Sequence, residues 1–357
     1  MRRVLLAGPH DVRFVDSPIP KAGPGEIVVK ANLCGISTGT ELMLYRGNYP
    51  NFKHKKWPAW EGYPIYPGYE LVGSVVEVGP EIKTGSQDSG VDSLGPVSGV
   101  LMARNSEFAV GDRVICLGEH AEYAKVPATL AAKLPDNVSD TEATLAPLGC
   151  TTMHATRQAE PKYGDTAAVI GMGTVGLLVL QHLLLAGVRR VVALDLRADR
   201  LEAARTYGAE LTINPRTCDA PKELLRSYGV GADFVIETSG APDSVTLAID
   251  LLRDRGTVVL VGWHVDGINF LYGDLYFKEA KLVASRAIGP DPGIPYAYVR
   301  WGSDQNLRFM VDLLAKGKIR GQHMQPSIFS WKELPNVYAL LDRSAPDIPY
   351  RAAINWT

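Results

Sequence analysis

The chain has 357 residues, 46% hydrophobic and 21% charged, which is the composition of an ordinary globular protein long enough for two domains and excludes a disordered or collagen-like chain. Its 37 basic and 39 acidic side chains leave a formal charge of −2, with no electrostatic footprint for nucleic acid or an acidic membrane, so neither is expected as a partner.

The N-terminus carries Arg2 and Arg3 before an apolar stretch of only four residues, Val4 to Ala7. A secretory signal needs roughly 7–15, so none is expected. Through residue 150 the pattern is one of short β-rich runs, at 27–31, 71–78, 113–117 and 121–126, bounded by Gly, Pro and Asp. Two segments interrupt it. Residues 45–66 carry seven aromatics in 22 positions beside Lys53, His54, Lys55 and Lys56. Residues 84–107 contain nine Gly or Ser among 24 and read as a surface loop.

From about Gly164 strands and helices alternate. Strands are predicted at 167–170, 190–194, 233–237 and 257–261, and helices at 174–186, 198–207 and 244–253. That rhythm signals a parallel sheet wound on both faces. A helix at 306–315 leads to a tail, 351–355, whose alternation predicts a strand rejoining the first domain. The expected boundaries are 1–150 for a β-rich domain, 151–295 for the doubly wound α/β domain and 296–357 for the return. The longest apolar stretch, 175–188, is broken by Gln181 and His182 and is shorter than the ~20 residues a membrane span needs. Cys34, Cys116, Cys150 and Cys218 lie far apart with no CxxC pair, which points to a reducing, cytoplasmic location and away from a disulfide framework or zinc knuckle.

The sequence Ala167-Ala-Val-Ile-Gly171-Met-Gly173-Thr174-Val175-Gly176 places G-x-G-x-x-G between a strand and a helix. The first glycine permits a tight turn, the second admits a pyrophosphate and the third lets helix pack on strand, with free N–H groups at the helix start. Asp195 follows 24 residues after Gly171, at the end of the next strand, where a carboxylate accepts hydrogen bonds from the adenosine ribose. It also repels a 2′-phosphate, which favours NAD over NADP, although Arg197 and Arg200 stand close by. Gly171, Gly173, Thr174, Val175, Gly176, Asp195 and Arg200 are the candidate cofactor residues of this Rossmann pattern.

The order of motifs resembles the medium-chain dehydrogenase/reductase superfamily, the alcohol-dehydrogenase-like enzymes. The resemblance rests on Pro24-Gly25-Glu26-Ile27-Val28-Val29-Lys30, Cys34-Gly35-Ile36-Ser37 with Thr40-Glu41, and Pro67-Gly68-Tyr69-Glu70 with Gly73. It continues through Gly111-Asp112-Arg113-Val114, Ala121-Glu122-Tyr123, the Gly171 motif, and Arg255-Gly256 with Val261-Gly262. It implies a GroES-like catalytic domain, a Rossmann domain, a cleft between them for the nicotinamide, and a homodimer or homotetramer. It also carries Thr152, Gly262, Trp263 and Arg286 into the nicotinamide region.

Many members of the superfamily hold a catalytic Zn²⁺ through Cys, His and a further Cys or carboxylate. At those places this chain has Ser37 or Thr38, Tyr69, and residues 146–148, with Cys150 a few positions late; the four-cysteine lobe after Asp112 is absent. Hydroxyl and phenol are poor Zn²⁺ ligands, so no zinc is expected. The run Gly-Ile-Ser-Thr-Gly-Thr-Glu with Tyr-Pro-x-x-Pro-Gly-Tyr-Glu is similar to zinc-less members such as the bacteriochlorophyllide-type dehydrogenases.

Without a metal, the proton on the substrate oxygen needs another handler. Tyr69 matches the metal histidine, Glu70 adjoins it, Thr40 matches a relay hydroxyl, Met43 replaces the histidine further along that relay, and His120 titrates near neutrality as a candidate acid/base. These residues predict a zinc-independent NAD(H)-dependent dehydrogenase or ketoreductase whose small-molecule substrate is a secondary alcohol or its ketone. The aromatics of 45–66 suggest a bulky or ring-containing one. An enone or quinone reductase and a non-catalytic dinucleotide-binding protein are the alternatives.

Overall fold

The computed structural model describes residues 1–55, 60–80, 107–265, 267–287, 301–343 and 349–357. Most of the Gly/Ser-rich stretch from 84, together with Lys56 and Trp57, lies outside them. The chain forms two compact units, one of Met1–Pro147, Pro290–Gly317 and Met324–Thr357, the other of Leu148–Gly289 and Lys318–His323.

In the first unit, β1 (Arg2–Gly8) and β2 (Asp11–Asp16) form an antiparallel pair. The long strand β3 (Glu26–Ile36) follows, then the short helices α1 (Thr40–Arg46) and α2 (Asn51–His54) in the aromatic-rich segment. Strands β4 (Leu71–Val78), β5 (Arg113–Cys116), β6 (Tyr123–Pro127) and β7 (Ala131–Lys133) complete the N-terminal β run. The helix α3 (Asp140–Ala143) comes next, and α4 (Ala146–Gln158) starts at the end of this segment with most of its residues in the second unit. Ser139 starts α3 with a capping box, exchanging hydrogen bonds with Glu142.

The second unit is built on β8 (Thr166–Ile170), α5 (Thr174–Leu185), β9 (Arg190–Leu194), α6 (Ala198–Thr206), β10 (Leu211–Ile213), α7 (Ala220–Tyr228), β11 (Ala232–Glu237), α8 (Ser244–Leu251), β12 (Leu252–Leu260), α9 (Tyr272–Phe277) and β13 (Lys281–Ala284). All strand pairs are parallel, in the order β10-β9-β8-β11-β12-β13. Every residue of β8 is buried, which is why its residues 167–170 read as an unbroken apolar run. The elements β10, α7, α9 and β13 were not predicted, and one predicted element has other bounds. The predicted helix at 244–253 stops at Leu251 and β12 begins at once, because Leu252 pairs with Ala232 and Arg253 is pinned to Asp233 at 2.6 Å. The turn-like residues Asp254 to Gly256 hid that early start.

The chain then returns to the first unit with α10 (Ser303–Ala315), β14 (Ser327–Ser330), α11 (Leu334–Leu341) and β15 (Ala352–Asn355). β15 inserts between β14 and β3, giving the sheet β14-β15-β3-β4-β5-β7 with β6 also on β3. The core packs Val4, Ile27, Val29, Leu71, Val114, Tyr338 and Ile354 together. Among the described residues no helix is long and apolar enough to cross a membrane.

Ile354 is fully buried while Ile328, on the neighbouring β14, is 54% exposed. Ile354→Ala is expected to destabilise the first unit by about 2–5 kcal/mol and Ile328→Ala by about 0.5 kcal/mol or less, read from urea unfolding midpoints.

Candidate active site

The register of β3 against β4 assembles the site. Cys34 pairs with Leu71, and Gly35 N–H donates to the Glu70 carbonyl at 2.9 Å, so the residues following β3 meet those preceding β4. Ser37 and Tyr69 are thereby brought together, and the Tyr69 hydroxyl is hydrogen-bonded to the side chains of Ser37 and Thr40. The Tyr69 ring is partly exposed. Burial of its hydroxyl, then the Glu70 charge, hold the phenol well above its ordinary range against the opposing Ser37 and Thr40 bonds. Tyr69 is a neutral phenol at any working pH.

Beneath it lies a dry polar cluster. Glu41, fully buried, accepts from Ser37 N–H at 3.0 Å through Oε1, and through Oε2 meets His120 Nε2 at 2.7 Å and the Tyr338 hydroxyl at 2.5 Å. Burial lowers the His120 pKa, but the Glu41 charge and a Cys34 hydrogen bond outweigh it and raise it to about 10. His120 is fully buried, so in this unit it is the counter-charge of Glu41 rather than a group at an accessible surface. Glu70, also fully buried, pairs with Arg351 Nη2 at 2.9 Å; burial pushes its pKa up to about 7 against the pull of Arg351. Met43 is packed in the apolar core.

Of the aromatics in 45–66, Tyr49, Phe52, Trp60 and Tyr63 pack edge to face on one another, and Tyr45 stacks on Tyr338 at 5.3 Å. Trp60 is the member beside Tyr69, with ring centroids 6.3 Å apart.

The positions matching metal ligands offer Ser37 Oγ and the Tyr69 phenol, hydrogen-bonded to each other. Among the described residues no three His, Cys, Asp or Glu side chains converge as a metal centre. Zn²⁺ needs thiolate, imidazole or carboxylate, and a phenol held protonated has no lone pair of comparable basicity to offer. These donors do not fit the ion. Cys150 is buried inside α4, and the four cysteines, Cys34, Cys116, Cys150 and Cys218, are all free.

In the second unit the glycine turn has the geometry its sequence asks for. Gly171 has φ +90°, and a Cβ on Gly176 would lie 1.8 Å from the Gly171 carbonyl oxygen. Gly173 caps α5 with no side-chain hydrogen bond, and a Cβ there would meet open space. The first-turn N–H groups, beginning with Thr174 and Val175, are therefore uncovered by side-chain caps. Asp195 takes Met172 N–H at 2.6 Å and Arg197 N–H at 2.9 Å, and Arg200 stands 3.7 Å from it. Thr152 is fully buried with its hydroxyl on the Gly149 carbonyl at 3.0 Å. Gly262 abuts Gly240 and Glu237, while Arg286 is exposed.

Known proteins match this arrangement along its length. Residues 23–136 match the alcohol dehydrogenase GroES-like domain, and residues 174–300 match the zinc-binding dehydrogenase family. The erythritol/L-threitol dehydrogenase of Mycolicibacterium smegmatis is 31% identical over 280 residues, 73% of this chain and 76% of that one. The chain belongs to the alcohol-dehydrogenase-like, medium-chain dehydrogenase/reductase superfamily. It is an enzyme of the alcohol-dehydrogenase type. Two solved structures share the fold: 2R,3R-butanediol dehydrogenase from Bacillus subtilis (TM-score 0.76, 23% identity, covering 100% of this chain and 99% of that one), and a short chain alcohol dehydrogenase from Escherichia coli CFT073 complexed with NADH (TM-score 0.76, 22% identity, 100% and 99%).

Sequence reasoning missed Glu41 as the hub of the buried cluster, missed Tyr338, and left open which arginine would partner Glu70. Glu41 was visible only as the companion of Thr40, and Tyr338 and Arg351 sit 297 and 281 positions from their partners. The cluster has a thermodynamic signature. Folded His120 keeps its proton to about pH 10 whereas the unfolded chain releases it near 6.5, and folded Glu70 keeps its proton to about 7 against 4.5. In both windows the native state binds more protons, so the contribution of these two groups to stability falls as pH rises from 4.5 to 10, opposed below 6.5 by buried His182, whose pKa is lowered to about 4. Urea unfolding across that range is expected to show the decline, with His120→Asn flattening the part above 6.5 and Glu70→Gln the part below 7. Slopes unchanged in both variants would remove these groups as its source.

Proposed function

We propose that this enzyme is a zinc-independent, NAD(H)-dependent dehydrogenase or ketoreductase acting on a secondary alcohol or its ketone, with Tyr69 handling the proton. The observation that carries the reading is the partly exposed Tyr69, whose neutral hydroxyl stands with Ser37 and Thr40 where a metal site would need a basic donor.

When bound, a nicotinamide dinucleotide supplies or accepts the hydride. The uncapped start of α5 and the space over Gly173 fit its pyrophosphate, and Asp195 fits its adenosine ribose and disfavours a 2′-phosphate. Tyr69 donates a hydrogen bond to a carbonyl oxygen and yields its proton as negative charge develops there. The burial and carboxylate charges that hold the phenol protonated make Tyr69 a weaker acid than a free phenol, so its proton passes only as the substrate oxygen becomes a strongly basic alkoxide. Thr40 and Ser37 share hydrogen bonds with the phenol and hold its orientation. Glu41 and His120 keep Ser37 in place from below. Trp60 beside Tyr69 supports a bulky or ring-bearing substrate, whereas two of the named proteins are an erythritol/L-threitol dehydrogenase and a 2R,3R-butanediol dehydrogenase. The exposed edge strand β13 supports a homodimer formed through the Rossmann sheet.

Three measurements test this. Ketone reduction with NADH is expected to persist in a chelator-treated protein free of stoichiometric metal. Tyr69→Phe is expected to lower kcat by about 100-fold with NADH affinity nearly unchanged. Wild-type kcat/KM is expected to favour NADH over NADPH, a preference that Asp195→Ala erodes. Full activity in Tyr69→Phe, or activity that requires one bound zinc per chain, would overturn the proton assignment.

A further inference from the structure

The carboxyl ends of β11 and β12 are joined by one buried carboxylate. Glu237, the last residue of β11, is fully buried. Its Oε1 accepts from Ser239 N–H at 2.7 Å, the Ser239 hydroxyl at 2.5 Å and Gly240 N–H at 3.0 Å, all in the turn after β11. Its Oε2 meets His264 Nε2 at 3.0 Å, in the turn after β12. An ionised carboxylate has only lone pairs to offer, so Nε2 carries the proton. The His264 side chain is 5% exposed, so this bond is made out of water.

The two turns touch backbone to backbone above that pair. A Cβ on Gly262 would lie 2.4 Å from Gly240 N and 2.6 Å from Glu237 Oε2. Gly240 itself has φ +66°, and a Cβ on it would lie 2.5 Å from the Trp263 carbonyl oxygen. The N–H groups of Val261 and Gly262 both donate to the Glu237 carbonyl. Glycine gives these turns wide conformational freedom of their own, and here the Glu237–His264 bond restrains them together with the backbone contacts.

In an open parallel sheet the ligand lies outside the carboxyl ends of the strands, where the strand order reverses. That reversal falls between β8 and β11. Asp195, at the end of β9, takes the adenosine side, which leaves the turns after β11 and β12 to the other nucleotide. We infer that Glu237 and His264 form a latch that positions these two turns for the nicotinamide half of the dinucleotide. The inference rests on the dinucleotide reading above. Glu237 and His264 are positioning residues: they set the aim of the Ser239–Gly240 and Gly262–Trp263 peptides.

Calorimetric titration of wild type, His264→Asn and His264→Gln with ADP and with NADH tests the latch. The Asn amide is too short to reach Oε2, whereas the Gln amide nitrogen overlays Nε2. Wild type is expected to bind both ligands. His264→Asn is expected to keep its ADP affinity and bind NADH about tenfold more weakly, the cost of one hydrogen bond to a buried charge, and His264→Gln to recover most of that loss. Glu237→Gln, close in volume to the native residue, supplies an independent variant and is expected to show the same split. Equal NADH affinity across the folded variants, or parallel losses for ADP and NADH, would overturn the latch alone. A wild-type protein that binds neither ligand would overturn it together with the dinucleotide reading.

Discussion

The first unit depends on the ion pair between Glu70 and Arg351. Arg351 is 2% exposed and also donates to the Thr144 carbonyl at 3.1 Å and hydroxyl at 3.0 Å, so one guanidinium ties the start of β4, the approach to α4 and the C-terminal strand together. Such a pair adds little net stability, because desolvating both ions cancels most of their attraction. Leaving either ion alone is costly, on the order of 3–5 kcal/mol, and that asymmetry is what makes the pair specify one arrangement. Gly35 belongs to the same constraint, since a Cβ there would lie 2.1 Å from Glu70 Oε2.

Around that pair the site is organised to keep a phenol protonated. Glu70 and Glu41 are both buried close to Tyr69, and each raises its pKa. Their own charges are met by Arg351 and by His120, so the repulsion felt by a phenolate is not relieved by water. A metal centre at the same positions would need the opposite field, one that stabilises an anion on its ligands. Residues 174–300 match the zinc-binding dehydrogenases, while Ser37 and Tyr69 offer a hydroxyl and a protonated phenol in place of thiolate, imidazole or carboxylate.

The second unit applies one device twice. At the glycine turn after β8, Asp195 holds the Met172 N–H from the end of the next strand. At the turns after β11 and β12, Glu237 plays the corresponding part for Gly240 and His264. In each case a carboxylate at a strand's carboxyl end satisfies backbone donors of loops that carry too few side chains to pack. The Thr238 hydroxyl links the two places, donating to the carbonyls of Ile170 and Gly171 at 2.9 Å each.

Local pattern was enough for much of this. G-x-G-x-x-G with Asp195, the apolar run 167–170 of β8, much of the alternation of strands and helices and the returning tail strand were readable, because each is written in consecutive residues whose spacing matches a helix, strand or turn. Tyr69 was readable for a related reason, being flanked by Pro67-Gly68 and Glu70. The partners were not. That Glu41 faces His120 and Tyr338, that Glu70 faces Arg351, and that Glu237 faces His264 are facts of strand register and tail insertion. A buried charge finds its counter-charge wherever the fold brings one within about 3 Å, and sequence distance has no bearing on that choice. By itself the sequence determined many of the elements, the dinucleotide turn and the placing of Ser37 and Tyr69 at positions that match zinc ligands. Only the tertiary structure decided that His120 is a buried counter-charge, that Tyr69 stays neutral, and which carboxylates hold the site in shape, because burial and proximity set those states.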